Sequence, residues 1–286
     1  MSEDVHPRAD ELDELGTRAL LELMHAEDRR AVEAVRRHLP VVAEAVDRIA
    51  GRLRSGGRLH YFGAGTSGRL AALDAAECPA TFGVEESVVR AHTAGDGEEE
   101  DDARQGRTAA VDAGLDRRDA VIGVSAGGRT RFVLAAVEVA REAGVLVVAL
   151  TCAPGSPLGA AADVAIEVET GPEVIAGSTR LKAGTVQKVV LNMISTGVFT
   201  RLGRTYRGRM VDVLASNSKL RARAERVVRE LADVPAPAAA RALAGAGGSA
   251  KVAVLMLRRG VSAGEARQLL ADAGGDLSAV LAEVRP

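Results

Sequence analysis

The chain is short of aromatic residues, lysine, cysteine and net charge, and each shortage narrows what it can be. Aromatics make up 2% of 286 residues and Trp is absent, while 47% of the chain is hydrophobic. A core must therefore be built from Ala, Val, Leu and Ile. The only lysines are Lys182, Lys188, Lys219 and Lys251, and the formal charge is −2. That balance gives no basic surface for nucleic acid. No stretch approaches the roughly 18 continuous apolar residues of a membrane-spanning helix, so no membrane partner is expected. Residues 1–10 are acidic and polar without a signal-peptide core, and the two cysteines, Cys78 and Cys152, form no motif. Two thiols without a secretion signal point to a reducing, cytoplasmic setting.

What is present is a periodic α/β pattern long enough for one large domain and a small appendage. Residues 1–16 are polar and read as loosely ordered until docked. Helices are predicted from Thr17, as N-cap, to His38, and from Pro40 to about Arg54, where Ser55-Gly56-Gly57 stops the second. Short strands follow at Arg58–Phe62, Ser87–His92, Asp119–Val124, Val145–Thr151 and Val164–Val168, with helices at Arg69–Ala76, Phe132–Glu142 and Leu181–Leu202. Uninterrupted apolar strands alternating with helices argue for a parallel sheet covered on both faces. Beyond about Asn217 the chain reads as wholly helical, with two prolines at Asp233–Ala238. The expected parts are an N-terminal helical segment, 1–54, a central α/β domain, 55–216, and a helical module, 217–286. Within the last, Leu243–Gly248 echoes Leu270–Gly275, too briefly to define a repeat.

Five segments carry chemistry. Strand one runs into Gly63-Ala64-Gly65-Thr66-Ser67-Gly68 before a helix. Glycines let the backbone approach a ligand, and a helix N-terminus offers amide donors and a positive dipole end to an anion. The turn lacks the Lys of a P-loop, and strand two ends in His92-Thr93 with no acidic residue for a dinucleotide ribose. The hydroxyls of Thr66 and Ser67 favour a terminal phosphate. Strand three ends in a similar turn, Ser125-Ala126-Gly127-Gly128-Arg129-Thr130, and both turns fall on the ligand-binding rim of such a sheet. In Gly171–Thr185, Ser178 or Thr179 is a candidate helix cap, and Arg180, Lys182 and Lys188 bring positive charge to an anion-facing cluster or a solvated face. Glu77, at the end of an Ala- and Leu-rich helix before Pro79, is a candidate general acid if its surroundings are apolar, and a surface carboxylate otherwise. The run Glu98-Glu99-Glu100-Asp101-Asp102 reads on composition as a solvated helix start.

Together these motifs resemble the sugar isomerase (SIS) fold and, more closely, the bacterial N-acetylmuramic acid 6-phosphate etherases. The likeness is carried by Gly63–Arg69, Leu73–Pro79 (LDAAECP), Gly177–Lys188 (GSTRLKAGTVQK), Leu191–Gly197 and Met210–Val213. It extends from about His25 to the C-terminus. It implies that residues 55–216 are a SIS sugar-phosphate-binding domain. It also implies a cytoplasmic homodimer that cleaves the D-lactyl ether at C3 of its sugar phosphate during cell-wall sugar recycling, with no metal or other cofactor. Glu77 matches the proton donor, and Glu100, with Gly106 six residues on, the second active-site carboxylate, with Glu98 and Glu99 as alternatives. Gly65, Thr66, Ser67, Ser125, Gly127, Arg129, Thr130, Ser178, Thr179 and Lys182 are the expected substrate-binding residues.

Three departures from the family pattern stand out. The stretch between Gly95 and Glu100 is shorter than usual. Gly127 occupies a position that usually holds Ser. The usual N-terminal segment is not recognisable in residues 1–16. A non-catalytic sugar-phosphate sensor of the same fold is therefore the alternative function. An aldose–ketose isomerase would need no acid aimed at C3, and residues 17–54 hold no basic recognition helix for a DNA-binding regulator.

Overall fold

Apolar runs that tolerate water on neither face line up as one parallel sheet. In the computed structural model, which describes residues 4–95, 97–213 and 218–282, the strands are β1 (Leu59–Ala64), β2 (Val89–Ala94), β3 (Ala120–Val124), β4 (Leu146–Thr151) and β5 (Val164–Glu167). Their order is β2-β1-β3-β4-β5 and every pairing is parallel. Every residue of the inner strands β1, β3 and β4 is buried, whereas the edge strand β5 alternates and the edge strand β2 is buried only at its two ends.

The helices of this part are α1 (Thr17–Ala34), α2 (Leu39–Arg54), α3 (Gly65–Phe82), α4 (Ala103–Asp112), α5 (Arg131–Glu142), the short α6 (Pro157–Ala160) and α7 (Lys182–Arg201). Helix α2 begins with Pro40 in its first turn and buries Val42, Ala45, Val46, Ile49 and Ala50, packing on β3, β4 and β5. Helix α5 sets Val133, Val137 and Ala140 against Phe62, Val121 and Val147, at the spacing that puts them on one helical face.

The chain divides into two compact units. One holds the residues up to Ala76 and Glu86–Thr196, with the whole five-stranded sheet; the other holds Glu77–Glu85 and the chain from Gly197 onward. The first 54 residues are thus part of the sheet-bearing unit, and the C-terminal segment of the second unit begins within α7.

Four local expectations need correction. Thr17 is the first residue of α1, not its cap; Gly16 holds the cap position and makes no side-chain bond. Helix α3 does not stop at Ala76 but runs through Pro79 to Phe82. It ends at Gly83, whose φ of +63° supplies the left-handed stop and whose N–H reaches Pro79 O at 3.0 Å. Helix α4 is additional. Its stretch is too polar to show a clear apolar stripe, and Asp102 starts it by accepting from the N–H groups of Arg104 (2.9 Å) and Gln105 (3.2 Å). Finally, the described part of the N-terminal segment, residues 4–16, is not loose. A 3₁₀ turn spans Ala9–Glu14, and His6 is buried with Nε2 3.8 Å from Glu27 Oε1.

The second unit contains a small hairpin, β6 (Thr205–Tyr206) and β7 (Arg209–Met210). Both turn residues, Arg207 (φ +48°) and Gly208 (φ +71°), lie in the left-handed region, as a two-residue hairpin turn requires. The Arg207 guanidinium sits 5.4 Å from the centre of the Tyr206 ring. Five helices follow, α8 (Ser218–Ala232), α9 (Ala236–Gly245), α10 (Ala250–Arg259), α11 (Ala263–Asp272) and α12 (Leu277–Ala282), around a core that includes Val228, Leu243, Val254, Leu255 and Leu277. The echo between Leu243–Gly248 and Leu270–Gly275 is one helix-stop device used twice. Gly248 N–H returns to Leu243 O (2.9 Å) and Gly275 N–H to Leu270 O (2.7 Å), each past a left-handed glycine, Gly247 or Gly274. Among the described residues, no single helix is long and apolar enough to cross a membrane.

Within the sheet, His60 is fully buried, with Nδ1 3.0 Å from His92 Nε2. Burial, reinforced by His92 and only partly opposed by Asp119, lowers its pKa from 6.5 to about 4. Burial and Arg90 push His92 in the same direction. A ring kept neutral in the fold but protonated below 6.5 in the unfolded chain removes stability as pH falls from about 6.5 to about 4. Denaturant unfolding should therefore show roughly 2 kcal/mol lost through His60 between pH 7.5 and pH 5. His60→Gln should flatten that slope; an equal slope in wild type and variant would assign the loss to other groups.

Candidate active site

Strand β1 passes into α3 without a loop because Gly63 and Gly68 touch backbone to backbone. A Cβ on Gly63 would lie 2.9 Å from Gly68 Cα, and one on Gly68 2.7 Å from Gly63 O. Gly65 takes φ +52° at the junction, which a side chain would resist. The Gly63–Arg69 segment is thus not a loop: Ala64 ends the strand and Gly65 begins the helix, four residues before the expected start at Arg69. Thr66, Ser67 and Gly68 occupy a first helical turn, whose N–H groups have no intrahelical acceptor and sit at the positive end of the dipole.

The turn after β3 supplies the second wall. Ser125 Oγ accepts from Gly128 N–H (3.0 Å) and lies 2.9 Å from Thr130 Oγ1. Gly128 has φ +64°, with no room for a Cβ against Ser156, whereas nothing lies within 4 Å of a Cβ built on Gly127. Strands β1 and β3 are neighbours, with β2 on the far side of β1. The two turns therefore flank the point where strand order reverses, where open α/β sheets bind ligands.

Around these turns is a cleft of about 470 Å³. It brings together Gly65, Thr66 and Ser67 from α3 with Ser125, Gly127, Arg129 and Thr130 from the β3 turn, and Thr179 from the segment before α7. Glu100 also lines it, and the geometry separates Glu100 from its neighbours. Glu99 folds back so that Oε2 accepts from Gly95 N–H at 2.7 Å, Glu98 is exposed, and neither lines the cleft. The Glu100 carbonyl accepts from Phe132 N–H (3.0 Å), the second residue of α5. Gly106 meets the same residue: its Cβ would fall 2.0 Å from Phe132 O. The six-residue spacing thus has a physical meaning, since both ends of the segment are fastened to one residue of α5. Amides, hydroxyls and Arg129 form a donor-rich floor, and Glu100 and Asp101 bring carboxylates to it.

Three expected residues are not among those lining the cleft. Lys182 is buried, and its Nζ donates to Glu27 Oε2 at 2.8 Å, in a separate hollow lined also by His6 and Arg30. Ser178 is half-buried and caps nothing. The cap of α7 is Glu173, whose carboxylate accepts from the N–H groups of Lys182 and Ala183, both at 3.0 Å. Neither Ser178 nor Thr179 plays the cap role. Glu173 is fully buried and lies nine residues from its partner, beyond the reach of local capping patterns. Glu77 lies in the fourth turn of α3 within the second unit and is exposed, not in apolar surroundings.

Helix α3 is anchored by Asp74, which is buried and accepts from Tyr61 Oη on β1 (2.8 Å) and Ser195 Oγ on α7 (3.1 Å). Two sequence motifs, Leu73–Pro79 and Leu191–Gly197, meet in that bracket. Sequence reasoning also missed Gln187 on α7, whose Oε1 lies 3.0 Å from Ser67 Oγ. Cys152 is buried beside Glu173, and burial pushes its thiol up to about 12, so it is no nucleophile near neutral pH.

The SIS domain profile matches residues 102–196. A curated N-acetylmuramic acid 6-phosphate etherase of Rubrobacter xylanophilus is 51% identical over 98% of this chain and 95% of its own length. One from Yersinia pestis is 47% identical over 98% of each. The chain belongs to the N-acetylmuramic acid 6-phosphate etherase family. Among solved structures, the phosphoheptose isomerase of Neisseria gonorrhoeae has a TM-score of 0.51 at 21% identity, covering 65% of this chain and all of its own. A protein of E. coli CFT073 also scores 0.51, at 19% identity, covering 68% of this chain and 97% of its own. These structures share the fold over about two thirds of this chain.

Two glycine substitutions on this etherase-family chain should behave oppositely. Gly106→Ala forces α4 away from α5, costing about 1–3 kcal/mol by overpacking and displacing the Glu100 segment, so both thermal stability and turnover should fall. Gly127→Ser enters open space at negative φ and should leave the melting temperature within about 2 °C. Thermal melts of both variants check the pair.

Proposed function

We propose that this chain opens the D-lactyl ether of N-acetylmuramic acid 6-phosphate, giving N-acetylglucosamine 6-phosphate and D-lactate. Membership of the etherase family over nearly the whole chain carries this reading, and the donor-lined cleft at the β1 and β3 ends supports it. The 6-phosphate rests on the first turn of α3 and the Ser125–Thr130 turn. The open-chain sugar carries an aldehyde at C1, which acidifies the C2 proton. Glu100, in the same cleft, removes that proton as general base. The C3–O bond then breaks and the departing lactate oxygen takes up a proton; the family resemblance, and not the lining of this cleft, assigns that proton to Glu77, which is exposed. Water adds at C3 of the unsaturated aldehyde to complete the product. One carboxyl must begin ionised and the other protonated.

The setting we infer is cytoplasmic recycling of cell-wall sugars, in keeping with two thiols buried without a disulfide. A homodimer is supported by large apolar side chains left exposed in the sheet-bearing unit: Leu73 on α3, Ile175 before α7 and Met193 on α7.

Incubation with N-acetylmuramic acid 6-phosphate should release D-lactate in step with N-acetylglucosamine 6-phosphate. Glu77→Gln and Glu100→Gln should each lower kcat at least about 100-fold, with circular dichroism unchanged. No lactate from wild type, with product binding intact, would falsify catalysis and leave a sugar-phosphate sensor. Normal turnover by either variant would remove that residue from the mechanism.

A further inference from the structure

Ser67 stands in the phosphate cradle, yet its hydroxyl also faces inward, 3.0 Å from the side-chain amide of Gln187. Gln187 lies in the second turn of α7 and is 1% exposed. With Oε1 toward Ser67, its Nε2 is a buried donor without a hydrogen-bond partner among the described residues, an arrangement folded proteins rarely keep. A serine hydroxyl has one proton. If Gln187 presents Oε1, that proton is held by Gln187, and Ser67 turns only lone pairs toward a phosphate that can only accept. The two ends of a glutamine amide have the same shape, so half a turn about the last torsion places Nε2 at the same distance from Ser67 Oγ. The amide then donates, Ser67 accepts, and the serine proton is released to the cleft. The exchange gives the buried donor a partner, leaves the carbonyl oxygen, the less costly of the two to bury unpaired, in its former place, and gives the cradle the polarity an anion needs.

We propose that Gln187 is a positioning residue of the phosphate cradle, donating from Nε2 to Ser67 Oγ so that the Ser67 proton is directed at the ligand. The proposal rests on the reading of the cleft as a phosphate site. The test is a double-mutant cycle with Ser67→Ala and Gln187→Met, read as KM and kcat for ether cleavage and as the Kd of N-acetylglucosamine 6-phosphate. Each single variant should raise KM and Kd about tenfold with kcat within about twofold, because binding common to ground and transition states is lost. Gln187→Met added to Ser67→Ala should weaken binding by less than a further twofold. If the two losses multiply, Gln187 acts independently of Ser67 and the proposal is overturned. If Ser67→Ala weakens binding and Gln187→Met does not, the proposal fails while the phosphate reading stands. If Ser67→Ala itself binds normally, the phosphate reading fails and the proposal with it. Should Gln187→Met not fold, Gln187→Asn, which keeps an amide but shortens its reach by one methylene, gives the same reading.

Discussion

The contact between Gly63 and Gly68 is the constraint on which the candidate cleft depends. Two backbones meet where any side chain would separate them, so the strand and the helix share a corner instead of a connecting loop. The first turn of α3 is thereby held at the carboxyl edge of the sheet, next to the turn that follows β3. Preorganised amide donors are effective because no rearrangement is needed when the anion arrives. In this chain the preorganisation is a matter of sterics before it is one of hydrogen bonds.

Buried polar groups then fix the helices around that corner. Asp74 gathers a tyrosine from the sheet and a serine from α7. Glu173 closes the amides at the start of α7 that have no acceptor within the helix. Glu27 would have its pKa raised by burial, but hydrogen bonding and charge from Lys182, with help from Arg30 and His6, hold it lowered. A buried carboxylate stripped of such partners is strongly destabilising, so each of these groups accepts only a narrow range of backbone positions. Specific placement of α3 and α7, whose residues Ser67 and Gln187 meet side chain to side chain, follows from that intolerance.

Much of the fold was legible in the sequence because its strongest signal, the nearly all-apolar inner strand, has few alternative readings. Val145–Thr151 could be little else, and β4 starts one residue later. Signals failed where a distant partner overrides local preference. Pro79 reads as a helix stop, yet the stop is Gly83. The polar α4 gains its place by pressing Gly106 onto α5, information that no periodicity carries. Among candidate site residues, those in the two glycine-rich turns are gathered in one cleft, since the turn chemistry that marks them also fixes their place at strand ends. Lys182 misleads for the opposite reason. Its charge suggests an anion, but the partner is a carboxylate of this chain, 155 residues away in sequence. Glu99 and Glu100 are equivalent in composition, and only the return of Glu99 to Gly95 N–H tells them apart.

The scarcity of aromatic residues has a spectroscopic consequence. With no Trp and two tyrosines, each compact unit holds one intrinsic fluorophore: Tyr61 in the sheet-bearing unit and Tyr206 in the helical one. Tyr61 is fully buried with its hydroxyl on the Asp74 carboxylate, an environment that quenches phenol emission, whereas Tyr206 is half-buried in a hairpin. Loss of the Asp74 bracket would change the surroundings of Tyr61 directly. The molecule thus carries one tyrosine label in each of its two units, with no dye attached.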